Sequence, residues 1–138
     1  MTPTQALLFR PEIVVHVAAA TLSLALGAFV LLGRKGTPAH RLAGRVWVLA
    51  MATTAAGSFL IQAQVLGVHT PLGTFGPIHL LSAAMLVQLW RAITAARAGE
   101  IAVHRRFMTR AFAALVIAGL FTMLPTRTLG AWAGAWLA

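Results

Sequence analysis

Ile13-Val14-Val15-His16-Val17-Ala18-Ala19-Ala20-Thr21-Leu22-Ser23-Leu24-Ala25-Leu26-Gly27-Ala28-Phe29-Val30-Leu31-Leu32 carries no charged side chain. At 1.5 Å per residue, a helix over this run is roughly 30 Å long, the thickness of the hydrocarbon core of a bilayer. Pro11 precedes it and Gly33-Arg34-Lys35-Gly36 closes it. A secretory signal is the competing reading. The apolar region of such a signal runs only about 7–15 residues, and Glu12 interrupts the flank. The run reads as a permanent span.

Three more apolar runs follow. The expected helices cover about 13–32, 46–68, 77–96 and 107–124. Arg41-Leu42-Ala43-Gly44-Arg45 leads into the second, and Pro125 stops the fourth. Pro77 opens the third, as suits a first helical position. The 138 residues are 59% hydrophobic and 9% charged. A soluble domain carries roughly 25% charged residues, and one this short cannot hide so much apolar surface. The expected fold class is therefore all-α: an integral membrane four-helix up-and-down bundle, a single transmembrane domain over 1–138.

The charges set an orientation. Eleven Lys and Arg face two acids, Glu12 and Glu100, for a net charge of +9. Arg34, Lys35, Arg41 and Arg45 surround the first loop; Arg91, Arg97, Arg105, Arg106 and Arg110 surround the third. The middle loop, 66–76, has none, and the ends of the chain hold only Arg10 and Arg127. The cation-rich side is expected to be cytoplasmic, which puts the chain in the bacterial inner membrane with both termini outside. The cations read as contacts to anionic headgroups rather than to nucleic acid. Trp47 and Trp90 are expected at the inner interface, Trp132 and Trp136 at the outer one. The tail 128–138 is too short to span. With no cysteine, disulfides, thiolate metal sites and iron–sulfur clusters are excluded. Two acids make a paired-carboxylate mechanism unlikely on chemical grounds.

The layout repeats. His16 stands near the outer start of the first helix and His79 near that of the third; His40-Arg41 precedes the second and His104-Arg105 the fourth. Both halves cross in the same direction, so the bundle reads as two parallel two-helix repeats about an axis along the membrane normal. In an up-and-down bundle, alternate helices are diagonal. His16 is then expected to face His79 at the outer level, and His40 to face His104 at the inner level.

Four histidines at two depths cannot share one metal. A structural zinc wants four compact ligands, and each pair offers two. Haem fits this arrangement, because the porphyrin leaves only two axial positions to the protein. One or two b-type haems are expected as cofactors, with His16, His79, His40 and His104 as iron ligands. Arg41, Arg45, Arg105 and Arg110 are placed to hold inner propionates, since guanidinium matches carboxylate geometry. His69 has no counterpart and reads as a loop residue. Gln62 and Gln64 are expected to hydrogen-bond across helices, and Met51, Met85, Met108 and Met123 to pack. No phosphate loop, nucleophile elbow or zinc-protease motif is present.

Lys35-Gly36-Thr37-Pro38-Ala39-His40-Arg41-Leu42-Ala43-Gly44-Arg45, with His16 upstream and His104-Arg105-Arg106-Phe107-Met108 downstream, resembles a family of small bacterial predicted membrane proteins classed as a domain of unknown function. The resemblance covers nearly the whole chain and implies a four-helix membrane fold, but no reaction. In layout alone, the chain is also similar to the cytochrome b561 group, which places one histidine on each of four consecutive helices and pairs alternate helices around two haems. That likeness implies the pairs His16–His79 and His40–His104, although this chain has two helices fewer.

The functional expectation is transmembrane electron transfer through haem, with a quinone or a redox protein as partner and a homodimer as one assembly. The alternative is a membrane subunit or assembly factor that is neither an enzyme nor a cofactor carrier. A small transporter ranks third, because the spans lack acids and broken helices.

Overall fold

The computed structural model describes residues 10–61, 67–71 and 73–123. Four helices dominate: α1 (Pro11–Leu32), α2 (Pro38–Gly57), α3 (Pro77–Arg97) and α4 (Ile101–Thr122). A 3-10 turn, Ser58–Leu60, continues α2. The middle loop contains a small antiparallel hairpin of β1 (Val68–Thr70) and β2 (Gly73–Phe75), with His69 opposite Thr74. The expected Gln62 and Gln64 contacts fall outside the described residues, as do Arg127, Trp132, Trp136 and the tail.

α1 and α3 lie close to their expected bounds. α2 does not: it starts eight residues before Val46 and ends at Gly57. The Thr37 side chain accepts the His40 backbone N–H at 3.1 Å, and Pro38 takes the first helical position. Thr37-Pro38 is thus a helix start, not part of the loop. α4 likewise starts at Ile101, directly after Gly99 turns the chain at φ +78°. The Lys35 ammonium folds back onto the carbonyls of Val30, Leu31 and Gly33. It satisfies acceptors that the end of α1 leaves open.

α1 packs most extensively on α2, and α3 on α4; narrower contacts join α2 to α3 and α1 to α4. The bundle therefore runs α1-α2-α3-α4 around its axis, with α1/α3 and α2/α4 as diagonals. Its core holds Val30, Trp47, Met51, Leu89, Met108 and Leu115 among others. Met51, Met85 and Met108 pack there, as expected, but Met123, at the end of α4, is exposed. Trp47 departs from expectation. It is fully buried rather than at the interface, while Trp90 is exposed. The Trp47 ring meets Phe112 edge-on at 6.1 Å, a contact across the α2/α4 diagonal.

The outside of the bundle is apolar too. Val15, Leu22, Phe29, Leu49, Leu80, Ile117 and Leu120 are all exposed. Two of the four expected spans, α1 and α3, are long and apolar enough to cross a membrane. In α2 and α4 the helix begins early enough to take in Arg41 and Arg45, or Arg105, Arg106 and Arg110. Pro38–Arg45, the first two turns of α2, lies ahead of its apolar part.

Gly27 is where α1 comes closest to its neighbours. A Cβ there would lie 2.4 and 2.6 Å from Phe112 ring atoms and 3.0 Å from Trp47. Gly27→Val is expected to destabilise the bundle by about 1–3 kcal/mol through overpacking. Gly119→Ala, whose nearest contact is Leu24 at 4.0 Å, should leave stability equal or higher. Thermal unfolding in detergent, followed by circular dichroism, checks the contrast; equal Tm values for wild type and Gly27→Val would refute the close approach.

Candidate functional site

Each helix places its histidine on its buried stripe. On α1, His16 precedes buried Ser23 and Val30 at seven-residue steps; on α2, His40 precedes Trp47 and Thr54 in the same way. On α3, His79 leads Ser82, Met85 and Leu89, and on α4, His104 leads Met108, Ala111 and Leu115. Such spacing keeps side chains on one face of a helix. All four imidazoles thus belong to inward-facing stripes.

The α1–α2 pair has a clear register. The His16 ring lies against the backbone of Thr54, and the His40 ring against that of Val30. Antiparallel helices in this register set Ser23 opposite Trp47, midway. From the level of Thr54 to that of His40 is fourteen residues, or roughly 21 Å of helix. Two separate levels result, as the sequence implies. Among the described residues, no group of three or more His, Asp or Glu is arranged to hold a metal.

The outer level does not pair in the way expected. His79 is 4% exposed, and both of its ring nitrogens are engaged. Nδ1 accepts the Gly76 backbone N–H at 3.0 Å, and Nε2 donates to the Ile61 carbonyl at 3.1 Å. That pattern fixes the neutral ring with its proton on Nε2. Phe59 and Phe75 flank the ring at 5.6 and 4.8 Å. His79 therefore fastens the start of α3 to the end of α2. His16 faces α2 instead, and its Nδ1 has no partner among the described residues.

At the inner level, His104 Nδ1 lies 2.9 Å from the Ala92 carbonyl. An N–H donated there leaves Nε2 as the ring's free lone pair. The Nδ1 of His40 has no partner among the described residues, and His40 lies close enough to His104 to feel its charge. Arg41, Arg45, Arg105 and Arg110 are exposed around this end. His69 sits on β1, with Nδ1 3.0 Å from the Thr74 hydroxyl, and belongs to the hairpin.

Two features escaped the sequence reading. Ser23 and Trp47 are fully buried, yet Ser23 Oγ and Trp47 Nε1 have no hydrogen-bond partner among the described residues. The seven-residue spacing of His40, Trp47 and Thr54 was the available signal. Ser58 also donates to Ser82 at 2.7 Å, joining α2 to α3 just inside His79.

Burial does most to hold His40 below the ordinary histidine pKa of about 6.5. The charges of Lys35 and His104 act in the same direction, and the Val30 backbone opposes them. With a lower pKa in the folded state, the unfolded chain binds more protons as pH falls below about 6.5, so stability drops there. The cofactor-free protein in detergent should show a lower Tm at pH 5.5 than at pH 7.5, and His40→Gln should reduce that difference. An unchanged pH dependence in the variant would rule out His40 as its source.

No match is found among the curated proteins or among the solved structures. The layout likeness to the cytochrome b561 group therefore finds no support in relatives. One family model does match, over residues 13–136, and its description is "Predicted membrane protein (DUF2306)". Spanning nearly the whole chain, that match places this protein in the DUF2306 family of predicted membrane proteins.

Proposed function

We propose that the chain is a multi-pass protein of the bacterial cytoplasmic membrane that carries a b-type haem between His40 and His104 and passes electrons. The observation that carries this reading is the inner level itself. Two inward-stripe histidines stand on diagonal helices, one with an unpartnered Nδ1 and one with Nδ1 turned to a carbonyl. A ring nitrogen donated to a carbonyl is the usual second-shell support of a metal-bound histidine.

The membrane placement rests on the family, on the exposed apolar exterior and on the charge asymmetry. Arg10, the outer cation among the described residues, is paired with Glu12 at 2.6 Å. The basic end then faces the cytoplasm and its anionic headgroups, with all four helices crossing. Arg45 and Arg110 close the apolar lengths of α2 and α4 by reaching to the headgroups.

A haem held by His40 and His104 would supply one-electron transfer rather than substrate turnover, because two histidine ligands would leave the iron no place for a substrate. His104 is held in orientation by the Ala92 carbonyl, and the backbone of His40 is fixed by the Thr37 cap. Arg41, Arg45, Arg105 and Arg110 are available for propionates. A quinone or a redox protein is the partner class such a carrier needs. The outer pair, His16 and His79, fits less well, since His79 ligates iron only by giving up one of its two hydrogen bonds.

A second reading, a membrane subunit or assembly factor without cofactor, is favoured by the structural role of His79 and by the Trp47–Phe112 contact that closes mid-bundle.

Protein purified from haem-supplied cells should show a Soret band and sharp visible bands on reduction. His40→Ala and His104→Ala should each abolish them, and His16→Ala should not. Retention of the bands in His40→Ala would sink the inner-site assignment. A colourless preparation that co-purifies with a larger complex would favour the second reading.

A further inference from the structure

A groove at the α3–α4 turn, at the basic end of the bundle, is not used by the histidine site. It is an open groove of about 310 Å³ lined by Arg91, Thr94, Ala95, Ala98, Glu100, Val103 and Phe107. The Arg91 guanidinium lies 6.0 Å from the centre of the Phe107 ring. Arg91 and Glu100 line the same groove without forming an ion pair with each other. Glu100 stands at the N-cap of α4, yet its side chain makes no capping hydrogen bond. One wall thus offers a cation and another an anion; the Thr94 hydroxyl is turned back to the Arg91 carbonyl at 3.0 Å, and the rest of the lining is apolar.

We propose that this groove seats the headgroup of a zwitterionic phospholipid that bears a primary ammonium. Its phosphate meets Arg91, its ammonium meets Glu100, and the start of its acyl chains lies along Val103 and Phe107. Guanidinium and phosphate form a charge-assisted contact with good geometry. Glu100 is what makes the site selective. Arg97, Arg105 and Arg106 nearby attract any anionic lipid, but an anionic headgroup brings nothing for the carboxylate and is repelled by it. A choline headgroup has no N–H to donate to it. The level fits as well, because the groove lies at the end of the bundle where the cations mark the bilayer surface. The site does not depend on haem.

Native mass spectrometry of the detergent-solubilised protein with equimolar phosphatidylethanolamine, phosphatidylglycerol and phosphatidylcholine tests this. The ethanolamine lipid should be retained most strongly by the wild type. Glu100→Gln should bring its retention down to that of the choline lipid. Arg91→Ala should weaken both by about tenfold, the size expected for loss of one charge-assisted contact. Arg97→Ala, outside the groove, should keep the wild-type order. Equal retention of ethanolamine and choline lipids by the wild type, preferential retention of the glycerol lipid, or an unchanged preference in Glu100→Gln would each overturn the proposal.

Discussion

Two aromatic rings occupy the space where a side chain at residue 27 would stand. Phe112 and Trp47 close over Gly27, and this contact draws together α1, α2 and α4. Both rings belong to or pack against the apolar core of Val30, Met51, Met108 and Leu115. The rings keep the α2/α4 diagonal in contact two turns from His40 and His104. Widening that contact would move the two imidazoles as well, because His40 shares a stripe with Trp47 and His104 lies two turns from Phe112.

The seam between α1 and α2 then presents a cost that the interior must answer. His16 Nδ1, Ser23 Oγ, Trp47 Nε1 and His40 Nδ1 are buried without partners among the described residues. Each such group costs about 1–3 kcal/mol if left dry. Buried polar atoms are nearly always satisfied in folded proteins, by protein, water or ligand. Four of them along one seam are more than packing alone explains, and their concentration there distinguishes this seam from the α3–α4 side. There, Ser82, His79 and His104 all have partners.

Much of this architecture was legible in the sequence. The run from Ile13 to Leu32 and the Pro77 start gave α1 and α3 nearly to the residue, because composition alone marks long apolar helices. The sequence places the starts of α2 and α4 too late for one reason: their arginines read as loop. A capped helix start such as Thr37-Pro38 outweighs the polarity of the residues that follow it, since the cap satisfies orphan N–H groups whatever the helix faces. The inward aim of the four histidines was expected from the repeat, and the stripes on α1 and α2 agree with it. Trp47 was misplaced because aromatic-belt reasoning considers depth and ignores the helix face. The hairpin of β1 and β2 was missed because Val68–Thr70 and Gly73–Phe75 are too short to carry a strand pattern.

The histidine spacing that repeats along the sequence does not carry a repeated role. His40 and His104 stand at matching positions in the two halves at the basic end, but His104 Nδ1 meets the Ala92 carbonyl and His40 Nδ1 has no partner among the described residues. His16 and His79 also match in position, yet their surroundings have diverged. His79 is held between the Gly76 N–H and the Ile61 carbonyl, with Phe59 and Phe75 on its flanks. His16 keeps an unpartnered nitrogen against α2. A ring with both nitrogens engaged acts as a bracket between α2 and α3, and it explains how a chain whose α2 stops at Gly57 still reaches α3 in a fixed position. His79 thus secures the connection between α2 and α3, and the inner histidines, His40 and His104, take no such bracing role between helix ends.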